Sequence, residues 1–307
     1  MKKTSKAVSY PVENSINNLL AVANPDFEEL VKRWFEEDYS PRTLKAIASD
    51  LKGFLRWYEK KNGEDFSFQR VTALDAADFK RDLQKEGKKP ATINRALVTL
   101  RRFFQVAIEK KKLEKNPMEK VKQLPKQALA PKSLTEQELR KFLKEVEAGR
   151  NVRDIALVRL MSGAGVRVSE AVGLTVDDIN ISERKGTATL RNAKGNKTRT
   201  VPLSQVVREA LAEYLVARKP EREVFMGQRG ALKPIAINKL IEKYGKRSGI
   251  RIHPHILRHN FAYSYLRSNP SDIVGLSQIL GHSSIQTSAL YCQNRMEDLQ
   301  ERVEKVA

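Results

Sequence analysis

Six polar side chains in the second half of the chain have the types that metal-free cleavage of a phosphodiester requires: Arg167, Lys194, His255, Arg258, His282 and Tyr291. A phosphodiester repels nucleophiles through its negative charge, and further charge builds on its oxygens in the transition state, so cations must stand there. Arg167 and Arg258 each offer a planar fork of donors that stays charged at neutral pH, and two such forks can take the place of a divalent ion. Tyr291 is a poor nucleophile while its phenol keeps its proton, whose ordinary pKa is near 10. It therefore needs a cationic pocket and a nearby proton acceptor. Lys194 can protonate a leaving oxygen from a flexible stem, and Lys197 competes for that role. His255 is a candidate proton acceptor or phosphate donor, and His282 a phosphate donor or a support for Tyr291; spacing does not choose between these roles.

Each residue sits in a short local pattern: Gly165-Val-Arg167-Val-Ser-Glu170, Ala193-Lys194-Gly-Asn-Lys197, His255-Ile-Leu-Arg258-His259 and Leu280-Gly-His282-Ser-Ser, with Tyr291 nine residues beyond His282. In order and spacing these motifs resemble the tyrosine recombinases, especially the short Xer-like and phage- or transposon-encoded integrases, over about residues 25 to 300. The resemblance implies a site-specific DNA recombinase or integrase in which Tyr291 attacks beside the scissile phosphate, leaving a 3′-phosphotyrosine and a 5′-hydroxyl. Because the phosphoester is retained, a partner strand's hydroxyl can reverse the step with no cofactor, metal or ATP. Alignment with the family's β-hairpin lysine selects Lys194 over Lys197. It also implies a C-shaped clamp on double-stranded DNA, a homo-oligomer that is a dimer on one site and a tetramer on two, and a C-terminal segment that docks on a neighbouring subunit. Whether a partner recombinase or directionality factor takes part stays open. Asn260 stands where the family commonly has threonine, a departure expected to affect helix packing more than chemistry.

Other readings of the same residues are available. Arg167 with Glu170 can be a surface ion pair, Gly281 a simple helix cap, and the Lys194 to Lys197 run a solvated hairpin. His253, His255 and His259 suggest zinc, but Pro254 interrupts them, Arg258 would repel a cation, and no Cys or nearby acidic ligand completes a set. A type IB topoisomerase would use related chemistry, and a DNA-binding protein could keep the scaffold without catalysis.

The elements that must position these residues are mainly helical. A helix is expected from Phe27 to about Glu37. Ser40-Pro41 then starts one with Leu44, Ile47, Leu51, Phe54, Leu55 and Tyr58 as its buried stripe. Thr72-Ala-Leu-Asp75 has the pattern of a capping arrangement for a third helix, and Lys89-Pro90 precedes a fourth with Ile93, Leu97, Leu100, Phe104 and Ile108 on one face. The opposite faces carry Arg42, Lys45, Lys52 and Arg56, and Arg95, Thr99 and Arg102, which are candidate DNA contacts, mostly to phosphate. Asn116-Pro117 and the Pro125 to Pro131 stretch break helix propagation. The expected plan is a leader over 1 to 24, a helical DNA-binding domain over 25 to 115, a linker over 116 to 132 and a catalytic domain over 133 to 307. Thr135-Glu-Gln-Glu138 restarts the helices. Short strands around Thr175 to Ile181, Thr187 to Arg191 and Thr198 to Leu203 predict a small antiparallel sheet. Met296, Leu299, Val303 and Val306 form an apolar strip on a final helix, which can dock on a neighbour or on its own domain. The fold class is mainly α with a small antiparallel β-sheet.

Composition agrees with a nucleic-acid partner. The 307 residues hold 57 Lys+Arg against 37 Asp+Glu, a formal charge of +20, with basic residues spread through both patterned regions. That excess points to a polyanion rather than to a local membrane-binding cluster. One cysteine, Cys292, excludes an intramolecular disulfide and cysteine metal clusters, and fits a reducing cytoplasm. Leu19 to Ala23 is too short for a secretory core or a membrane span, so a cytoplasmic protein is expected.

Overall fold

The structure is a computed structural model that describes residues 25–37, 39–125, 131–191, 198–292 and 303–304. The expected leader, Lys194 and Lys197, and most of the strip from Asn294 to Val306 lie outside the described residues. The chain divides into two compact units, Met1–Gln127 and Ala128–Ala307.

The first unit is built from α1 (Pro25–Phe35), α2 (Pro41–Asn62), α3 (Ala73–Lys85) and α4 (Pro90–Glu109). Local chemistry sets their ends. Ser40 accepts the Thr43 N–H ahead of Pro41, and Thr72 with Asp75 forms a reciprocal capping box. Gly63, with φ of 68°, ends α2 in the left-handed region. The six stripe residues of α2 are all buried, and Phe54 meets Phe66, Phe79 and Phe104 edge-on at the centre of an aromatic core.

Two expectations change here. Thr99 is buried, and its hydroxyl donates to the buried Asp50 carboxylate at 2.9 Å, so it ties α4 to α2 from inside instead of facing DNA. The segment expected to begin the linker is packed onto this unit: Met118 and Val121 are buried, Arg101 donates to their carbonyls, and Asn94 exchanges hydrogen bonds with Leu124. Helix α4 has already ended at Glu109, ahead of Asn116-Pro117, and the backbone groups of the following segment find side-chain partners, so the chain stays attached through Leu124.

The second unit contains α5 (Glu136–Ala148), α6 (Val152–Ala164), α7 (Val168–Val172), β1 (Ile179–Ile181), β2 (Gly186–Arg191), β3 (Thr198–Pro202), α8 (Gln205–Arg218), β4 (Met226–Gly227), β5 (Gly230–Ala231), α9 (Pro234–Ser248), α10 (Pro254–Ser268), α11 (Ile273–Leu280) and α12 (Ile285–Ala289). Thr135 and Glu138 form the capping box of α5. Helix α6 buries Leu157, Val158, Leu160 and Met161 on several sides and packs against both α8 and α10, which makes it the central helix.

Strands β1, β2 and β3 form an antiparallel sheet in sequence order, with Ala188 of β2 opposite Ile179 and Val201. Ala188, Leu190 and Val201 face the core. The strand expected from Thr175 starts four residues later. Thr175 donates its N–H and hydroxyl to Asp178, which folds Val176–Asp178 into a 3-10 turn before β1.

Asn260, on α10, donates to the Leu134 carbonyl at 2.8 Å and accepts its N–H at 3.0 Å. All three groups are buried, so this side chain substitutes for a backbone partner. Asn260→Ala should lower unfolding stability by about 3 kcal/mol, because it strands a buried donor and a buried acceptor; a urea melt within about 0.5 kcal/mol of the unaltered protein would show that the pairing carries no such weight.

Candidate active site

The site forms where α6, α7, α10, α11 and β3 converge, and a short stretch of backbone organises it. Helix α6 ends at Gly165 with φ of 62°. A Cβ there would lie 2.6 Å from Phe261 and 2.7 Å from Leu280, so both conformation and space demand glycine. The chain then turns through buried Val166 and places Arg167 at the N-cap of α7, where its N–H donates to Glu170 at 2.8 Å.

Helix α11 stops at Gly281, again left-handed at φ of 62°. The last carbonyls of a helix have no partners within it and form its negative pole. Here three arginines from three different elements supply those partners. Arg199 of β3 donates through Nε to the Ile279 carbonyl at 2.7 Å, Arg258 of α10 through Nη2 to Leu280 at 2.6 Å, and Arg167 through Nη2 to Gly281 at 3.4 Å. Arg258 also donates through Nη1 to the Gly165 carbonyl at 2.6 Å, joining the C-terminal ends of α6 and α11.

One carboxylate offsets part of this charge. Glu170 receives Arg167 at 2.8 Å and both Nη1 and Nη2 of Arg199, at 2.6 and 2.9 Å, on a side chain 1% exposed. Burial pushes the Glu170 carboxyl up, but its bonds to Arg199 and to the Arg167 N–H, with the charge of Arg199 and the bond from the Arg167 side chain, hold it down at about 2. Burial, then repulsion from Arg167, lowers Arg258 to about 9, leaving it cationic at neutral pH. Three guanidiniums against one carboxylate leave a concentrated positive charge at a place 4% exposed at Arg258.

Tyr291 lies in a 3-10 turn, Leu290–Cys292, that follows α12. It is buried, with its ring stacked on His282 at 6.4 Å and 6° and met edge-on by Tyr263 at 5.3 Å. Its hydroxyl is 2.7 Å from Nδ1 of His259. Burial raises the phenol above its ordinary value, Arg258 and Arg167 pull it down, and Tyr263 adds to the rise. His282 hydrogen-bonds Ser288 Oγ through Nδ1 at 2.8 Å. Burial first, then Arg258, Arg167 and Arg199, lowers His282 to about 4. His259 is likewise lowered to about 4, by burial and then by His255, His253 and Arg258.

The structure thus gathers Arg167, Arg258, His282 and Tyr291. His255 is exposed at the start of α10, with its ring 6.4 Å from that of His259 and 6.5 Å from that of His253. Among the described residues no group of three or more His, Cys, Asp or Glu side chains is placed to hold a metal ion. Sequence reasoning weighed His259 only as a zinc ligand and passed over Arg199 and Ser288. Arg199 stands in the alternating Thr198-Arg-Thr-Val201, one strand position from a predicted turn; that context carries no hint of a carboxylate 29 residues earlier in the chain.

On the first unit, Arg42, Lys45 and Arg56 are exposed along α2 and Lys52 is half-buried. Arg95 pairs with Asp50 at 2.9 Å, and Arg102 bridges Glu37 and Glu109 at 2.7 and 2.9 Å. Among the described residues no helix is long and apolar enough to cross a membrane.

Comparison with known proteins assigns the scaffold. Residues 132–298 match the phage integrase family, and residues 30–111 match the phage integrase N-terminal SAM-like domain. The tyrosine recombinase XerA of Pyrococcus horikoshii is 34% identical over 290 residues, covering 91% of this chain and 95% of that protein. The tyrosine recombinase XerC of Lacticaseibacillus casei is 31% identical over 281 residues, covering 86% and 92%. In fold, the chain is similar to the XerH site-specific recombinase bound to a palindromic difH substrate in a post-cleavage complex, with a TM-score of 0.75, 22% identity and coverage of 99% and 90%. A lambda integrase dimer bound to a COC′ core site gives a TM-score of 0.69 at 18% identity, covering 85% of this chain and 95% of that one. With family matches across both units and full-length relatives above 30% identity, the chain belongs to the phage integrase family of tyrosine recombinases.

Proposed function

We propose that this protein is a site-specific DNA recombinase that cuts and rejoins DNA through a covalent 3′-phosphotyrosyl intermediate at Tyr291, without metal or ATP. The observation that carries this reading is the burial of the Tyr291 hydroxyl beside two neutral imidazoles and within the field of Arg258 and Arg167. A phenol in that setting has both an acceptor for its proton and fixed positive charge where a phosphoryl group would gather negative charge.

Each guanidinium carries five N–H donors. The two that Arg258 gives to Gly165 and Leu280 fix the plane of the fork and leave the others for non-bridging phosphate oxygens. Arg167 is fixed in the same way by Glu170 and Gly281. Such anchoring means that little reorganisation is needed when charge develops. Lys194 is the donor to the leaving 5′-oxygen in this scheme, with Lys197 as the alternative, and His282 holds the Tyr291 ring through stacking. His255, exposed at the head of α10, is a phosphate contact.

DNA capture falls to Arg42, Lys45, Lys52 and Arg56 along α2, and to Arg95 and Arg102, which exchange carboxylate partners for phosphates. The XerH and lambda integrase neighbours are described as bound to their DNA sites, and the same class of partner, double-stranded DNA with a specific site, fits the +20 charge of this chain. A dimer on each site and a tetramer on two sites complete the scheme.

The test is strand exchange between two differently labelled duplexes taken from the DNA flanking the gene, with chelator present and nucleotide absent. Hybrid duplexes are expected. Relaxation of a single supercoiled plasmid with no exchange would instead indicate a topoisomerase. In the same assay, Arg258→Lys should lower cleavage about 1,000-fold, since an ammonium keeps the charge but loses the fork that spans Gly165, Leu280 and the phosphate; activity within tenfold of the unaltered protein would show that charge suffices.

A further inference from the structure

We infer that His259 is the proton acceptor for Tyr291 during strand cleavage and returns that proton during rejoining. The inference rests on the reading of Tyr291 as nucleophile and identifies the base that reading requires. Chain geometry separates His259 from the other three histidines. His282 offers Tyr291 the face of its ring, and its Nδ1 is engaged by Ser288. His255 and His253 are exposed, whereas His259 is half-buried, and their rings follow one another at separations of 6.4 Å from His259 to His255 and 6.5 Å from His255 to His253. His259 presents a ring nitrogen directly to the phenolic oxygen at 2.7 Å, within the range for proton transfer.

The backbone of α10 holds that alignment. His259 and Tyr263 lie four residues apart on one helix face, and both contact Tyr291, one through its nitrogen and the other through its ring edge. Arg258, the preceding residue, is anchored twice to backbone carbonyls, which fixes this turn of the helix against α6 and α11.

The groups that face this pair come from every element around it: His253 from the residue before α10, His255, Arg258 and Tyr263 from α10, His282 from the turn after α11, and Arg167 from the start of α7. Burial first, then His255, His253 and Arg258, keeps His259 neutral at physiological pH, the form a base needs; to act as base it carries its proton on Nε2 and turns the Nδ1 lone pair, 2.7 Å away, toward the phenol. The same cationic surroundings disfavour an imidazolium while no anion is present. A phosphodiester entering beside Arg167 and Arg258 supplies the missing negative charge and stabilises the imidazolium, so proton uptake by His259 is favoured when DNA is bound.

The step balances as follows. The Oη–H bond of Tyr291 breaks and its proton passes to His259 Nδ1 as the Oη–P bond forms. The P–O5′ bond breaks, and the 5′-oxygen takes a proton from the general acid. In rejoining, a 5′-hydroxyl gives its proton back to the conjugate base of that general acid as its oxygen attacks phosphorus, the P–Oη bond breaks, and His259 returns its proton to the phenolate.

The test uses the full chain and a nicked duplex, cut from the DNA flanking the gene, that the unaltered protein binds. His259→Asn keeps an acceptor oxygen near the position of Nδ1 but cannot take up a proton at neutral pH. Adduct formation should fall about 100-fold in this variant while DNA binding stays within about threefold. The rate for the unaltered protein should be flat between about pH 6 and pH 8, and the variant's should climb about tenfold per pH unit as solvent hydroxide takes over. A purely positional role predicts a restored rate in His259→Asn, or a slower rate with an unchanged pH profile; either result overturns the inference. Should His259→Asn lose DNA binding, His259→Gln gives the same readout. A protein that forms no tyrosyl adduct even when unaltered removes the nucleophile reading itself, whereas a normal adduct with an unimpaired variant removes the role of His259 alone.

Discussion

Tyr291→Phe is expected to reduce covalent DNA linkage by roughly 10⁴-fold or more, the scale on which removal of a nucleophile acts, while DNA binding changes by less than about threefold. The substitution deletes one oxygen and keeps the ring that stacks on His282 and meets Tyr263. Its structural cost is confined to the half-buried Nδ1 of His259, which loses a partner at 2.7 Å, a loss of about 1 kcal/mol. A denaturing gel of the adduct beside a binding titration reads both quantities. Undiminished linkage in the variant would show that another residue attacks the phosphate.

The second large effect is expected at Glu170. Its carboxylate, 1% exposed, is shared by Arg167 and Arg199, and these pairs join the start of α7 to β3. Glu170→Gln keeps the shape but leaves two arginines facing Arg258 with no counter-charge. Removing one partner from a buried ionic group costs about 3–5 kcal/mol, and the freed Arg167 should cost roughly a further 100-fold in cleavage rate. Chemical denaturation and single-turnover cleavage measure the two effects.

The acid behaviour follows from the same carboxylate. The folded state holds Glu170 at about 2, against an ordinary value of 4.5. A depressed carboxyl contributes its full stabilisation above the ordinary value and loses it as pH falls toward the folded value. Glu170 should therefore contribute about 3 kcal/mol above pH 5 and lose that contribution between about pH 4.5 and pH 2. Glu170→Gln should flatten the stability profile across this window, and an unchanged acid slope would assign the loss to other carboxylates.

Features that depend on short-range geometry were readable from the sequence. The capping boxes at Thr72 and Asp75 and at Thr135 and Glu138 need three-residue spacing and nothing else. Gly281 announces a helix end because the left-handed region favours glycine, and that end lies beside His282; Gly165, also left-handed, ends a helix beside Arg167. The family motifs carried the selection of Arg167, Arg258, His282 and Tyr291, and the fold brings these four together.

Features that depend on distant partners were not readable. Thr99 sits among basic residues on a helix face that looks polar, yet Asp50 of α2 draws its hydroxyl inward. The run after Asn116 contains the right residues for a linker, but Arg101 and Asn94 of α4 satisfy its backbone and hold it to the first unit. At Thr175, a side chain able to cap outcompeted β-propensity and delayed the strand. Arg199 and His259 acquire their importance when β3, α10 and the turn at Tyr291 meet, and no local pattern encodes that meeting. The three-arginine cap on α11 is a property of the fold, read from the carbonyls of Ile279, Leu280 and Gly281.

The most direct test of the account is to trap the unaltered protein on a nicked duplex from the flanks of the gene, in the presence of chelator, digest the adduct and map the linkage on both macromolecules by mass spectrometry. The account predicts a single linkage joining Tyr291 to a 3′-phosphate, with a free 5′-hydroxyl on the released strand. A linkage to a 5′-phosphate, a linkage through a different residue, or cleavage that leaves no protein attached would contradict it.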